Sequence, residues 1–446
     1  MKKLVFLLIL VLSTYNLCAQ TWVQMGTGLS DIGRVFYADS ISNKLFVGGN
    51  FSYVNGRFQK EIAAWDGTGW DTLFSGIGDG YINTILRFQN SIYVGGAFTY
   101  LHSSPYHEMV NGFTRLDGNS WDSLNTGFHN SGAPNQYYEY YNMLYCVGEF
   151  DSAGNCYSPN IVTWDGANFA PVLLPNNIGF TNSVDAVVAF QNQLYFAGSF
   201  ILNGTTYFTL LKWDGINWNA ADTNFNGYVT TMVVYNGELY IAGSGLYNVP
   251  GNYIVKYDGT NFSAVGAGVN FTVFNLRVFG NKLYVVGGFD SAGAVAASGI
   301  AVWDGNNWSA FSNDTFNSGI LDVAVFNNEI YVTGGFSFIN SDTIKHIARY
   351  NGWYLGMDEP TNIKHIFNIY PNPTHEMVTL IFNSYDDEVV TIKMMDGAGR
   401  VVLQDTRAGS RGENQIQENI AGYSKGFYIL ELQRGDAVMQ KKIIIE

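Results

Sequence analysis

The segment KLYVVGGFDSAGAVAASGIAVWDGNNW, residues 282–308, reads as an apolar strand ending in Gly287-Gly288, a loop, a second apolar strand, a tight turn at Asp304-Gly305, and a third strand opening on Trp308. The phrase occurs seven times. Its first half is found as KLFVGGNF (44–51), SIYVGGAF (91–98), MLYCVGEF (143–150), QLYFAGSF (193–200), ELYIAGSG (238–245), KLYVVGGF (282–289) and EIYVTGGF (329–336). Its turn half is found as WDGTGW (65–70), LDGNSW (116–121), WDGANF (164–169), WDGINW (213–218), YDGTNF (257–262), WDGNNW (303–308) and a worn YNGWY (350–354). Each glycine strand is preceded by another apolar strand, such as VDAVVAF (184–190), so a unit holds four strands.

The Phe closing the glycine strand falls at 51, 98, 150, 200, 289 and 336, a period near 48. Four-stranded units at this period predict an all-β, seven-bladed β-propeller. The strands are almost continuously apolar, as expected where both faces of a blade are covered. The Asp-Gly pairs suit hairpin turns, because Gly accepts positive φ. The seventh unit lacks a convincing fourth strand. TWVQMGTGL (21–29) resembles the strand after each Asp-Gly turn, compare WDTLFSGIG from Trp70. The N-terminal strand is therefore expected to complete the last blade and leave no unpaired edge.

Aromatic residues make up 16% of the 446-residue chain and Gly contributes 50 residues, which favours short strands and tight turns over helices. The net charge of −14, with no Lys/Arg cluster, argues against nucleic-acid partners. Lys2-Lys3, the apolar run Leu4 to Leu12 and a small-residue site ending at Ala19 read as a signal peptide, residues 1–19. That run is too short to span a bilayer, and no later segment reads as a membrane span. Leu17 is bulky where lipoprotein sites take a small residue, so Cys18 is not read as a lipid anchor. Cys146 holds a register filled elsewhere by Val, Ile or Phe and reads as a core thiol rather than a disulfide partner of Cys156.

The order of diglycine strand, loop, Asp-Gly strand and Trp strand resembles kelch-type and related secreted bacterial propeller repeats, over residues 20–357. After a linker, 358–364, the composition shifts to short strands with Gly turns, a small β-sandwich over 365–446. This tail resembles the C-terminal sorting domain of type IX secretion substrates. The resemblance rests on Tyr370-Pro371-Asn372-Pro373, the Asp396-Gly397-Ala398-Gly399-Arg400 turn, Gly426-Phe427-Tyr428-Ile429 and Lys441-Lys442. It implies passage across the outer membrane by the type IX machinery, then release or anchoring at the cell surface.

Candidate chemistry concentrates in the variable loops on one face, since long loops on a rigid scaffold usually carry binding. The 99–112 loop, TYLHSSPYHEMVNG, brings Tyr100, His102, Tyr106 and His107, and Tyr157 sits in the equivalent loop of the next unit, as Tyr53, Tyr207 and Tyr247 do in others. Tyr rings can stack on sugar rings and hydrogen-bond through the hydroxyl. The His residues and Glu108 match no metal-ligand spacing, and no metal or cofactor is expected. The repeated Asp66, Asp117, Asp165, Asp214, Asp258 and Asp304 read as turn residues, each lacking the further oxygens a calcium site needs. Arg87 and Glu139 share a register in neighbouring units and could pair. No nucleophile elbow, phosphate loop or His-Glu-x-x-His is present. The expected function is non-enzymatic binding or adhesion, to a glycan or an extracellular protein. The alternative is a carbohydrate-active enzyme, lyase or hydrolase, for which Glu108, Glu139 and Asp151 are the carboxylates to inspect.

Overall fold

The computed structural model describes residues 21–351 and 367–445, except 72, 74–75, 103–107, 119, 125–126, 130–131, 371, 385–387, 397–399, 410–411 and 435–436. The expected signal peptide and linker lie outside the described residues. All regular structure among the described residues is strand. The chain divides into two compact units, one of Met1–Val278 with Lys282–Gly356, the other of Phe279–Asn281 with Met357–Glu446.

The first unit contains seven four-stranded antiparallel sheets among its described residues. Six follow one another as meanders over 33–71, 81–122, 133–171, 178–222, 226–264 and 273–310, and we number them sheets one to six. Sheet seven combines Ile320–Phe326, Glu329–Gly334 and Ile347–Asn351 with the N-terminal strand Thr21–Gln24. That last pairing, expected from the sequence, is antiparallel with Trp22 opposite Tyr350. Trp22 is buried, its ring 5.0 Å from Tyr350 and 5.5 Å from both Phe311 and Phe316.

The glycine strands form the centre of each sheet. Val47, Val94, Cys146, Phe196, Ile241, Val285 and Val332 share one register, and each is wholly inaccessible to solvent. Cys146 is thus a core residue, and both it and Cys156 are free thiols. The Asp-Gly turns are built by their own side chains. Asp66 Oδ1 accepts from the backbone N–H of Thr68 and Gly69, both at 2.7 Å. Asp165, Asp214, Asp258 and Asp304 repeat the arrangement. These bonds favour the charged form and hold the carboxyls below their ordinary range.

Adjacent sheets are joined by side chains in a repeated pattern. The first strand carries a β-bulge, which leaves one residue outside the ladder and re-aims its side chain. In the bulge, Asn83 donates to the carbonyl of Pro134 (3.3 Å), Asn135 to that of Val184 (3.4 Å) and Thr230 to that of Val273 (2.8 Å), each on the following sheet. One residue on, Thr84 Oγ1 accepts from Tyr137 N (2.9 Å), Gln136 Oε1 from Val187 N (2.7 Å) and Asp322 Oδ2 from Phe36 N (2.8 Å). The last of these bonds links sheet seven to sheet one.

In the second unit, Phe367–Tyr370, Met377–Ser384 and Gly412–Asn419 form one sheet. Val401–Gly409, Glu388–Met395, Gly426–Arg434 and Ala437–Ile445 form another. The two share a core that includes Val378, Leu380, Phe382, Ile392, Leu432 and Ile443.

Candidate functional site

In sheets one, two, three, six and seven a short hairpin follows the glycine strand: Tyr53–Val54 with Arg57–Phe58, Tyr100–Leu101 with Glu108–Met109, Ser152–Ala153 with Cys156–Tyr157, Ser291–Ala292 with Val295–Ala296, and Phe338–Ile339 with Asp342–Thr343. In sheets four and five the glycine strand itself runs on to Leu202 and Tyr247. The hairpins are pinned from below by the segment that enters each sheet. Leu29 bridges Val54, Phe128 bridges Ala153, Val269 bridges Ala292, Phe316 bridges Ile339, and Ile77 pairs with Leu101. Backbone bonds of this kind fix a loop before any ligand arrives, which lowers the ordering cost of binding. Three of these hairpins present exposed rings, Tyr53 with Phe58, Tyr157, and Phe338, and the strands of sheets four and five add Tyr207 and Tyr247.

The residues singled out in the sequence are only partly brought together. Tyr100 is half-buried, with its backbone paired to Gly78 and Met109. The His102 ring lies 5.2 Å from Phe58, edge to face, and 6.5 Å from Tyr100. Phe58 lies 5.7 Å from Tyr53. Tyr53, Phe58, His102 and Tyr100 therefore make one aromatic run across the hairpins of sheets one and two. Tyr157 stands apart on the hairpin of sheet three, 74% exposed. Tyr106 and His107 lie outside the described residues. Phe58 is not marked by the loop pattern of the sequence, although it ends the same hairpin that Tyr53 begins. Among the described residues no group of three or more His, Cys, Asp or Glu could hold a metal ion.

The perturbed acids are not those the sequence suggested. Glu108, Glu139 and Asp151 are exposed. Arg87 does not take its ion pair from Glu139: it closes in a two-pronged contact on Asp39 of sheet one, at 2.7 and 2.6 Å. Asp39 stands where other first strands end in Phe or Tyr, so only sheet one offers a carboxylate there. Asp185, the bulge residue of sheet four, accepts from Ser183 Oγ and Asn135 Nδ2, both at 2.9 Å. Burial pushes its carboxyl up to about 6, and the Glu149 carboxylate adds to the shift. Glu61 is buried with φ of 64° and accepts from Gly80 N at 2.6 Å. Burial raises its carboxyl to about 7.

In the second unit Asn372 ties the start of the tail to its end. Its Nδ2 donates to the carbonyl of Lys442 (2.8 Å) and its Oδ1 accepts from Ile444 N (2.9 Å). Pro373 follows it as an exposed residue, and Tyr370 pairs its backbone with Thr379. Gly426, at φ 152°, opens the strand beside the last one. Lys441 and Lys442 are exposed on that last strand, with Lys442 Nζ 5.4 Å from the Phe427 ring centre. Pro371 and Gly399 lie outside the described residues.

Residues 368–446 match the family described as the secretion system C-terminal sorting domain. A search of curated proteins finds no match to the chain. The domain marks proteins that type IX secretion carries across the outer membrane, so the chain is extracellular or held at the cell surface. The tail interacts with the type IX machinery. No helix among the described residues is long and apolar enough to cross a membrane.

Proposed function

We propose that this type IX secretion substrate is a non-enzymatic binding or adhesion protein. In this reading residues 1–19 are a signal peptide, 20–357 a closed seven-bladed β-propeller of kelch-like repeats, 358–364 a linker and 365–446 the sorting domain. Ring closure is supported by the pairing of Trp22 with Tyr350 and by the bond from Phe36 N to Asp322. The observation that carries the binding role is the set of hairpins, each tied by backbone contacts, that hold exposed aromatic rings on one end of the sheets. Rings presented on fixed loops gain contact area at little entropic cost, which suits a glycan or an extracellular protein as partner. The test is binding of the secreted chain to polysaccharides and to extracellular protein fractions. The double variant Tyr53→Ser/Phe58→Ser should weaken capture by about tenfold. Unchanged capture by that variant and by Tyr157→Ser would remove the hairpins from the role.

The enzymatic reading draws on one observation. Asp185, raised to about 6 with Glu149 nearby, combines a proton-retaining carboxyl with a second carboxylate, the combination glycoside hydrolysis uses. Its bonds from Ser183 and Asn135 equally suit a structural joint between sheets three and four. Release of new reducing ends, lost on Asp185→Asn, would favour the enzyme.

A further inference from the structure

The turn joining the first two strands holds a residue with positive φ in most sheets: Gln89 at 53°, Gln191, Asn236 and Asn327 at 49°, and, in sheet three, Tyr141 at 48°. A bulky aromatic in the left-handed region is an outlier that the surroundings must hold in place. The glutamines at this position have a task. Gln89 Nε2 donates to the carbonyl of Asp165 (3.0 Å) and Gln191 Nε2 to that of Asp258 (2.9 Å), so each caps the Asp-Gly turn of the next sheet. Tyr141 gives the Asp214 turn no such cap. It is 82% exposed, with its ring 4.4 Å from Tyr140.

Around Tyr141 the packing of the repeat is opened. Trp65, Trp164 and Trp303 are buried before their Asp-Gly turns, but Trp213 is half-exposed. Trp164 and Trp303 donate to the hydroxyls of Tyr93 (3.2 Å) and Tyr240 (3.3 Å) on the preceding sheet. Trp213 faces the matching Tyr145 at 6.4 Å between rings, and its indole N–H has no hydrogen-bond partner among the described residues. The outer tryptophans Trp70, Trp121 and Trp308 donate to the carbonyls of Met25, Leu73 and Val265. Trp218 makes no such bond and lies 5.7 Å from Trp213, only 24° from parallel. Trp22 and Trp65 also leave their N–H unbonded, but both are buried. Tyr140 is half-exposed where Phe88, Phe190, Tyr235 and Phe326 are buried, an exposure shared by Phe279 of sheet six. The departures coincide at the junction of sheets three and four. They leave a cleft of about 240 Å³ lined chiefly by Tyr140, Tyr141, Met143, Tyr145, Trp213 and Asp214.

We infer that this cleft, on the Asp-Gly turn end of the sheets and away from the hairpins, is a subsite for one pyranose ring of a neutral glycan. The aromatic faces suit the apolar C–H face of a sugar. The Trp213 N–H supplies a donor at the rim, the Tyr140 hydroxyl being held by the Asn192 carbonyl (3.4 Å), and the Asp214 carboxylate accepts from sugar hydroxyls. The size lies just under the ~300 Å³ at which pockets for larger ligands begin, which fits a single ring. No Lys or Arg lines it and the chain carries −14, so an acidic sugar would be repelled. The site gives the binding reading a ligand class but does not depend on the hairpins.

The test uses the full secreted chain with neutral oligosaccharides of three to six units from glucan, mannan, xylan and chitin, and a uronic-acid oligosaccharide as control. Binding is read by calorimetry and tryptophan fluorescence. Y141Q installs the capping residue of the other repeats, so it keeps the fold, with unchanged or higher Tm, and lowers affinity about tenfold or more. Y141F stays within about threefold of the original. The Tyr53→Ser/Phe58→Ser variant leaves this binding unchanged, which separates failure of the hairpin reading from failure of this one. In the unmodified chain, ligand slows amide exchange over residues 140–145 and 213–217. Failure of every neutral oligosaccharide at about 1 mM, equal affinity of Y141Q, equal binding of the acidic control, or no exchange protection would each overturn the assignment.

Discussion

Asp322 is buried on sheet seven, and its carboxylate accepts five hydrogen bonds. Oδ1 takes Asn275 Nδ2 (3.0 Å), Arg277 Nε (2.9 Å) and Val323 N (2.9 Å). Oδ2 takes Phe36 N (2.8 Å) and Arg277 Nη2 (2.7 Å). One side chain thus joins sheets six, seven and one. Asp322→Ala strands the Arg277 guanidinium and leaves Phe36 N without an acceptor. Orphaning one partner of a buried pair costs ~3–5 kcal/mol. Arg277 keeps 36% of its side chain accessible and can rehydrate, which puts the loss near the lower end, about 3 kcal/mol. For a unit of roughly 330 residues the unfolding entropy is about 0.7 kcal/mol/K, so Tm should fall by about 4 °C. Scanning calorimetry of the secreted chain at neutral pH reads this directly. The control is Asp71→Asn, which breaks the half-exposed Lys44–Asp71 pair and should cost under about 1 kcal/mol. Adding Arg277→Met to Asp322→Ala should recover part of the loss, because the stranded charge is then gone. A shift for Asp322→Ala no larger than that of Asp71→Asn would show that Asp322 does not hold the three sheets together.

Trp22→Ala removes a buried ring that packs on Phe311, Phe316 and Tyr350 and should cost about 3–5 kcal/mol, seen as a lower urea midpoint with the slope preserved. Glu61 has its folded pKa raised from 4.5 to about 7, so its contribution is fully present below pH 4.5 and is lost as pH rises towards 7, on the order of 3 kcal/mol. Glu61→Gln should therefore flatten that part of the stability profile between pH 4.5 and 8, and an unchanged profile would exclude Glu61 as its source. Asn372→Ala removes two bonds that hold the last strand of the tail, about 2 kcal/mol, and should speed proteolysis of that strand about 30-fold.

Much of the fold is written in one phrase. The register of Val47, Cys146 and Val332 follows from the glycine strand, and the place of Trp22 follows from its likeness to Trp70, because burial repeats with the pattern. The joints between sheets are less legible. Thr84, Gln136 and Asp322 share a geometric task but no residue type, so repetition of sequence does not reveal them. Register points Arg87 to Glu139, whereas its partner Asp39 replaces an aromatic at a different position. The hairpin aromatics were read in part: Tyr53 and Tyr157 are exposed as a loop reading implies, while the contact between Phe58 and His102 needs the three-dimensional approach of two hairpins. Tyr141 looks like an ordinary turn residue until its φ and the missing cap on Asp214 are seen together.

The most direct test of the account incubates the secreted chain with a broad panel of polysaccharides, oligosaccharides and extracellular proteins, and follows retained protein and chemical products in the same samples. A binding protein should be retained on at least one ligand with no new reducing ends and no unsaturated products. Products that accumulate in proportion to the amount of chain would contradict that role.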